Sequence, residues 1–417
     1  MLQEENKAMI SDIRMKGFKE KKDVIEFLNI IDDKVAPQLV SELISIHQAA
    51  GRVLASSITS QVKVPNFNRS AMDGYAILGA ETFGAATYSP IEFKVIGLSL
   101  PGKPFAGSVT TQTAVRIMTG APIPLGADSV IPVEFAQEEN NVLKVVEAIP
   151  PGKNVGRIGE DIKIGQEVLD AGRKLRPQDI GILSSIGISY VSVIKKPSVD
   201  IFITGDELLK PGCMPEGYRI VDSNSLMLDA LVFRDIQIHP NIVFLKDQRE
   251  IIRDALSNSN ADFILISGGS SVGQEDYAPS LVKELGEILI HGVALRPASP
   301  AGMGVINDKY VFLIPGNPVS CLCAYDLFAS RAIRKSAGIN YELPYKSAVL
   351  NLSSKISSMV GRMDYVRVKI VEGCAEPLAI SGASMLSTTT IADGFLLVPG
   401  ECEGYPTGEN VKIYLYD

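Results

Sequence analysis

Histidine is almost missing from this chain. Only His47, His239 and His291 occur in 417 residues, far apart and without HExxH-like spacing. Surface or core packing is therefore the reading of all three, and neither a zinc ligand set nor a Ser-His-Asp arrangement competes for the chemistry. Cysteine is sparse as well. Cys213, Cys321, Cys323, Cys374 and Cys402 are scattered and odd in number, as reduced thiols are, and they form no disulfide framework. Cys321 and Cys323 lie two apart on a predicted helix, on different faces, which argues against joint metal ligation. Long apolar runs are absent: nothing reaches the roughly 18 residues of a membrane span. The segment 1–23 is charged throughout and lacks the apolar centre of a signal peptide, so a mobile N-terminus and a cytoplasmic location are expected. Excess positive charge is lacking too. A net charge of −8 and a pI near 5.2 exclude a general nucleic-acid binder. An anionic substrate then needs local cations, backbone amides or a metal ion. No internal repeat or low-complexity tract appears.

What is present is an ordinary globular composition, 46% hydrophobic and 21% charged. Length suggests roughly two to four domains. The stretch Ala261–Tyr277, ADFILISGGSSVGQEDY, organises the reading. Phe263-Ile264-Leu265-Ile266 has no polar alternation, the pattern of a strand buried on both faces. It ends in a glycine- and serine-rich loop whose amides can approach an anion closely. Glu275 and Asp276 follow, then an amphipathic helix with Leu281, Val282 and Leu285. By itself this is equally the pattern of a structural glycine turn.

Along the chain, Val24 to Leu43 reads as a helix and Ala49–Leu54 as a second helical turn. Pro65–Ala76 reads as an ordered loop carrying Asp73. Ile77 to Ile149 reads as all-β, with Ile91, Phe93 and Val95 alternating, a strand over Ala114–Met118 ending at Thr119, and Asp128–Phe135 paired with Val142–Ile149. Residues 150–176 form an extended connector with an Arg157–Glu160–Asp161 cluster, either a solvated face or a functional loop. From Pro177 strands alternate with helices. Pro177–Ser185 is a helix, Ser198–Ile203 a strand ending in Thr204–Leu208, and Asp222, Ser223 or Asn224 caps the next helix. Asp247–Glu250 reads as a capping box. Tyr310–Ile314 is a buried strand ending at Pro315-Gly316-Asn317-Pro318, with Asn317 as N-cap, Pro318 first in the helix and an anion site at the Val319 and Ser320 amides. Tyr341 onward returns to β, as a small barrel or sandwich.

Three loops of one parallel sheet, Thr204–Leu208, Ser267–Asp276 and Pro315–Ser320, then project to the same edge. Carboxylates at Asp206, Glu207 and Asp276 beside phosphate-attracting amides suggest Mg²⁺ between the acids and a phosphate or pyrophosphate. Helix caps plus a glycine turn remain the plain alternative.

Six motifs occur in one order: SAMDGYA, RIMTGAPIPLGAD, GRIGED, TGDEL followed by DSNS, SGGSSVGQEDY and PGNPVS. Together they closely resemble the molybdopterin molybdenumtransferases, the MoeA and gephyrin E-domain family, over essentially Val24 to Asp417. The resemblance implies a multidomain α/β plus β protein. Its expected parts are an elongated two-piece region (24–60 and 150–176), a β domain (61–149), a three-layer molybdopterin-binding α/β domain (177–340) and a C-terminal β-barrel (341–417). It implies a homodimer whose active site is shared between subunits, and a reaction that inserts molybdate into adenylylated molybdopterin with release of AMP. Carried over by motif, Asp206, Glu207 and Asp276 belong at the metal and pyrophosphate. Ser267, Gly268, Gly269, Ser270, Ser271 and Gly273, with Pro315, Gly316, Asn317 and Pro318, cradle the pterin and its phosphates. Asp73, Thr119 and Asp161 come from the partner subunit, and Arg367 or Arg362 adds positive charge near the oxyanion.

One motif departs from the family. Where Lys-Pro-Gly-Lys-Pro is usual, this chain has Arg296-Pro297-Ala298-Ser299-Pro300. One cation is kept as arginine and one is replaced by Ser299. If nothing compensates, losing a charged hydrogen bond weakens oxyanion affinity by about 10- to 150-fold. Two other functions stay in view: a molybdopterin adenylyltransferase-related enzyme, which would not need the SAMDGYA and TGAP regions, and a non-catalytic gephyrin-like scaffold. Composition leaves molybdate and tungstate undistinguished.

Overall fold

Between Val199 and Ser336 strands alternate with helices, because short unbroken apolar runs such as Phe263–Ile266 form buried strands and amphipathic stretches such as Arg249–Asn258 form helices. The computed structural model describes residues 21–269, 277–379 and 382–416. The chain divides into two compact units, Glu42–Val193 and the remainder, which joins residues up to Ser41 with Ile194 onward.

The larger unit is built on a six-stranded sheet in the order Asn241–Leu245, Val199–Thr204, Phe263–Ser267, Lys309–Ile314, Gly302–Ile306, Glu287–His291. The first four strands are parallel, Gly302–Ile306 runs antiparallel to them, and Glu287–His291 pairs antiparallel with Gly302–Ile306. Phe263 and Leu265 face one apolar layer while Ile264 and Ile266 face the other, so the unbroken FILI run is buried on both sides. Helices Asn224–Ile236 and Pro318–Ala324 cover the first side, and Arg249–Asn258 and Ala278–Leu285 the second. From Val199–Thr204 the chain moves outward to Asn241–Leu245, then crosses back to Phe263–Ser267. That reversal opens a crevice at the carboxyl ends of the two central strands.

The first helix spans Val24–Lys34, with Asp23 Oδ1 accepting from the Ile25 amide at 2.7 Å. It stops well short of Leu43, because Pro37 disfavours helical backbone at the residue before it. Its apolar face packs into the α/β core, Phe27 stacking on Phe328 at 4.0 Å, so this helix lies outside the elongated region expected for 24–60.

In the Glu42–Val193 unit a six-stranded sheet runs Ser129–Pro132, Gly74–Ile77, Thr113–Ile117, Ile91–Ser99, Val142–Val145, Ala136–Glu139. Three expectations fail here. Gly74–Ile77 is an interior strand and no loop, since Tyr75, Ala76 and Ile77 are all buried. Val142–Val145 pairs with Ala136–Glu139 through a turn at Asn140 (φ 54°) and Asn141 (φ 62°), while Ser129–Pro132 pairs with Gly74–Ile77. Two positive-φ asparagines make the tight turn that such a hairpin favours. The expected helical turn at Ala49–Leu54 is a 3₁₀ turn at Ile46–Gln48, and Val53 and Leu54 bridge to Lys174 and Val193. Within 150–176, Val155–Gly156 pairs with Arg69–Ser70, and Glu167–Leu169 with Ile58–Thr59. Helix Pro177–Ser185 forms as expected, but it packs on Ile46, Leu54 and Val193 in the Glu42–Val193 unit and lies outside the α/β domain expected for 177–340.

The C-terminal strands Lys346–Asn351, Met363–Val371, Cys374–Ala379, Gly394–Val398 and Asn410–Leu415 form one sheet, and a Leu352–Ala375 bridge closes it into a small barrel. Leu295–Arg296 adds to this sheet beside Met363–Asp364. The Arg296–Pro300 motif is thereby tied to the barrel.

Candidate functional site

A cleft of about 640 Å³ opens at the strand crossover. Glycine makes it possible. A Cβ on Gly268 would lie 2.3 Å from the Thr204 carbonyl oxygen, and Gly268 has φ +97°. Gly316 lies against Gly268. The lining includes Glu207, Asp247, Ser267, Gly268, Gly269 and Pro315 to Pro318. Thus the three expected loops do meet, as far as they are described. Ser270, Ser271, Gly273 and Asp276 lie outside the described residues.

Asn224 holds these loops together. Its Nδ2 donates to the Gly316 carbonyl at 2.7 Å and to Ser267 Oγ at 3.0 Å. The sequence offered it only as one of three caps; the capping is done by Asp222, which accepts from the amides of Asn224 and Ser225. DSNS directly after a short strand was the visible signal. Asp247 is also reassigned. It makes no capping box, since Gln248 occupies the N-cap without a side-chain bond. Instead Asp247 accepts from the Asp206 amide at 3.2 Å, and Asp206 from the Asp247 amide at 3.4 Å. Asp247 lines the cleft and Asp206 does not. Two buried oxygens at the cleft, Thr204 Oγ1 and Asn224 Oδ1, have no partner among the described residues, as expected of atoms reserved for a polar ligand.

A second cleft, of about 550 Å³, adjoins the first through Pro300 and Asn317. Arg296, Ser299, Ser320, Arg362, Ala383 and Lys21 are among its lining. Both arginines are already engaged: Arg296 and Arg362 pair with the fully buried Asp364, which also accepts from Ser358 Oγ at 2.6 Å. Ser299 Oγ is buried without a partner among the described residues. Arg367 is wholly buried and reaches the Gly382 carbonyl at 3.4 Å, but Arg362 is the one of the pair that lines the cleft. Burial holds the Arg367 guanidinium below its ordinary pKa. One expected anion donor is unavailable, because the Val319 amide donates to Ala383 O at 2.9 Å.

In the Glu42–Val193 unit the structure brings Asp73 and Thr119 together. The Thr119 amide and hydroxyl both donate to Asp73 Oδ1, at 2.6 and 2.9 Å, and hold its carboxyl below the usual carboxylate range. Backbone bonds from Gly120 to Ser70 and from Ile123 to Asn68 join these two loops, and the Ile158 amide donates to Asn68 Oδ1 at 2.8 Å. Asp161 is exposed at the end of that third loop, its amide bonded to Val64 O.

Comparison with known proteins fits this geometry. Family profiles described as MoeA N-terminal region (domain I and II), probable molybdopterin binding domain, and MoeA C-terminal region (domain IV) match residues 22–187, 200–335 and 349–416. A putative molybdopterin biosynthesis protein of Methanocaldococcus jannaschii is 35% identical over 89% of this chain and 91% of its own length. The chain belongs to the MoeA family. A molybdopterin molybdenumtransferase of Haemophilus influenzae is 31% identical over 89% of this chain and 93% of its own. The crystal structure of a molybdopterin biosynthesis MoeA protein from Pyrococcus horikoshii OT3 matches with a TM-score of 0.79 at 33% identity, covering 95% of this chain and 100% of that one. The multidomain MoeA fold is therefore shared.

Ala298 stands where the family motif has glycine, and its φ of +90° is a conformation that favours glycine. The cleft wall is consequently strained at this position. Ala298→Gly is expected to raise stability by about 1 kcal/mol, read from the chemical denaturation midpoint. A destabilised variant would show that the strain is absorbed elsewhere.

Proposed function

We propose that the protein is a molybdopterin molybdenumtransferase, inserting molybdate into adenylylated molybdopterin and releasing AMP. The observation that carries this reading is that the two clefts meet at Asn317 and Pro300. A pterin pyrophosphate held in the first cleft can then present its reacting end to an oxyanion in the second. In the first, Gly268 and Gly316 leave room for phosphates near backbone amides, Gly269 lines the same cleft, and the Thr204 hydroxyl and the Asn224 Oδ1 acceptor are unpartnered among the described residues and open to polar groups of the pterin. In the second, Arg296, Arg362, Ser299 and Ser320 supply donors to the oxyanion.

Among the described residues no three histidine, cysteine or acidic side chains converge on a metal position. Mg²⁺ bound with phosphates needs only one or two carboxylates, water and phosphate oxygens filling the rest. Glu207 and Asp247, both at the first cleft, fit that donor chemistry; Asp206, which exchanges bonds with Asp247, and Asp276 are included by motif alone. Bound there, Mg²⁺ would neutralise charge on the pyrophosphate oxygens.

From the resemblance of their motifs we infer that the Asp73–Thr119–Asp161 loops serve the site of a second copy in a homodimer. Phe67, Met72, Met118 and Ile158 around these loops are exposed, which favours a covered face. A cytoplasmic location belongs to the same reading. The adenylyltransferase alternative loses support because the relatives match over 89% of the chain, including the Glu42–Val193 unit.

Purified protein given adenylylated molybdopterin, Mg²⁺ and molybdate should release AMP only when molybdate is present. No release at any molybdate concentration would favour the scaffold. Glu207→Gln should raise the Mg²⁺ concentration needed for half activity; an unchanged metal dependence would leave Glu207 without a cation role. For the homodimer, Asp73→Ala and Asp276→Ala are each expected to inactivate, and mixing them with subunit exchange should restore part of the activity. Proven exchange without restoration would sink the shared site.

A further inference from the structure

The second cleft is short of charge for the ligand assigned to it. Two guanidiniums that line the cleft, Arg296 and Arg362, face one buried carboxylate, Asp364, and leave a single net positive charge at its wall, while the wholly buried Arg367 lies behind Gly382 and does not line it. A tetrahedral dianion such as molybdate needs a second. Ser299 contributes only a buried hydroxyl.

The N-terminal arm brings a cation to this place. Lys21 lines the same cleft as Ser299, Arg296 and Arg362, although it is distant from them in sequence. Its position is held through the residue that follows it. The Lys22 amide donates to Gly292 O at 3.0 Å and the Ala294 amide to Lys22 O at 2.7 Å, so the arm runs parallel beside Val293. Lys22 Nζ bonds to Glu26 at 2.9 Å, and Asp23 caps the helix that follows. The segment contacted, Gly292–Ala294, leads directly into the strand Leu295–Arg296 and the Ser299 turn. Lys21 itself is exposed and has no acidic partner among the described residues.

We propose that Lys21 is an oxyanion-binding residue, supplying from the N-terminal arm the positive charge that Ser299 does not. With Lys21 the lining side chains, set against Asp364, carry two net positive charges, which matches a dianion. This rests on reading the second cleft as the oxyanion site, and the test separates the two.

Molybdate binding to the full-length protein is measured by calorimetry, and AMP release is titrated with molybdate and, separately, with adenylylated molybdopterin. Lys21→Ala should weaken molybdate about tenfold, the low end for a charged hydrogen bond because the residue is exposed. Lys21→Glu should weaken it further and Lys21→Arg should retain most of it, with the response to adenylylated molybdopterin unchanged throughout. Adding Ser299→Lys to Lys21→Ala should restore binding, since the charge returns to the same cleft. If Arg296→Gln weakens molybdate while Lys21→Glu does not, the role of Lys21 is overturned and the cleft assignment stands. If neither substitution moves the molybdate response, the cleft assignment falls and the role of Lys21 with it.

Discussion

Everything at the first cleft depends on the absence of one side chain. The parallel strands Val199–Thr204 and Phe263–Ser267 are neighbours, so the backbones leaving them must pass within contact distance. Gly268 permits this at a φ of +97°, where any Cβ would strike the Thr204 carbonyl. Because the loops come that close, Asn224 can span from Ser267 to Gly316 with one amide group. Crevice, crosslink and exposed backbone are three consequences of one steric allowance.

The second cleft obeys an electrostatic constraint. Asp364 is fully buried, and an uncompensated carboxylate there would cost several kcal/mol. Arg296 and Arg362 satisfy it from two different segments, the strand leading into the altered motif and the start of the barrel strand. These arginines therefore serve the fold before any ligand arrives. They stay poised at the cleft wall without free choice of rotamer, which favours a rigid, planar donor surface. The same pairing discounts the charge they present, so a residue that looks cationic in the sequence is only partly so in the structure.

The sequence disclosed the parallel sheet and three meeting loops because unbroken apolar runs, glycines and prolines act locally. Phe263–Ile266 and Pro315–Pro318 signal their conformations within a few residues. Asp73 and Thr119 were named from motifs, and their bond joins residues 46 apart, which pattern alone does not disclose. What stayed hidden were pairings decided by tertiary contact. Gly74–Ala76 looked like loop because Asp73 and Gly74 punctuate it, yet two flanking strands claim its backbone. Asp247 looked like a helix cap because a four-residue pattern fits one, but the Asp206 amide competes successfully for its carboxylate. Asp364 gave no signal, since burial and two arginine partners are set by the barrel's register.

A cation carried by an arm differs from one rooted in the cleft floor. Residue 299 sits in a turn whose oxygen accepts from Val293 and whose side chain is buried, so a charge there acts through low-dielectric surroundings. Lys21 is exposed, and its attraction to an anion is weakened by water. At 4 Å a pair of unit charges attracts by about 1 kcal/mol in bulk water and about 4 kcal/mol near a protein surface, and the exposed Lys21 falls between these values. It is also screened by salt over a Debye length of about 8 Å at physiological ionic strength. Moving the charge from floor to arm therefore trades affinity for adjustability. The backbone bonds at Lys22 limit that trade, because they hold the arm in register with the segment that forms the cleft wall.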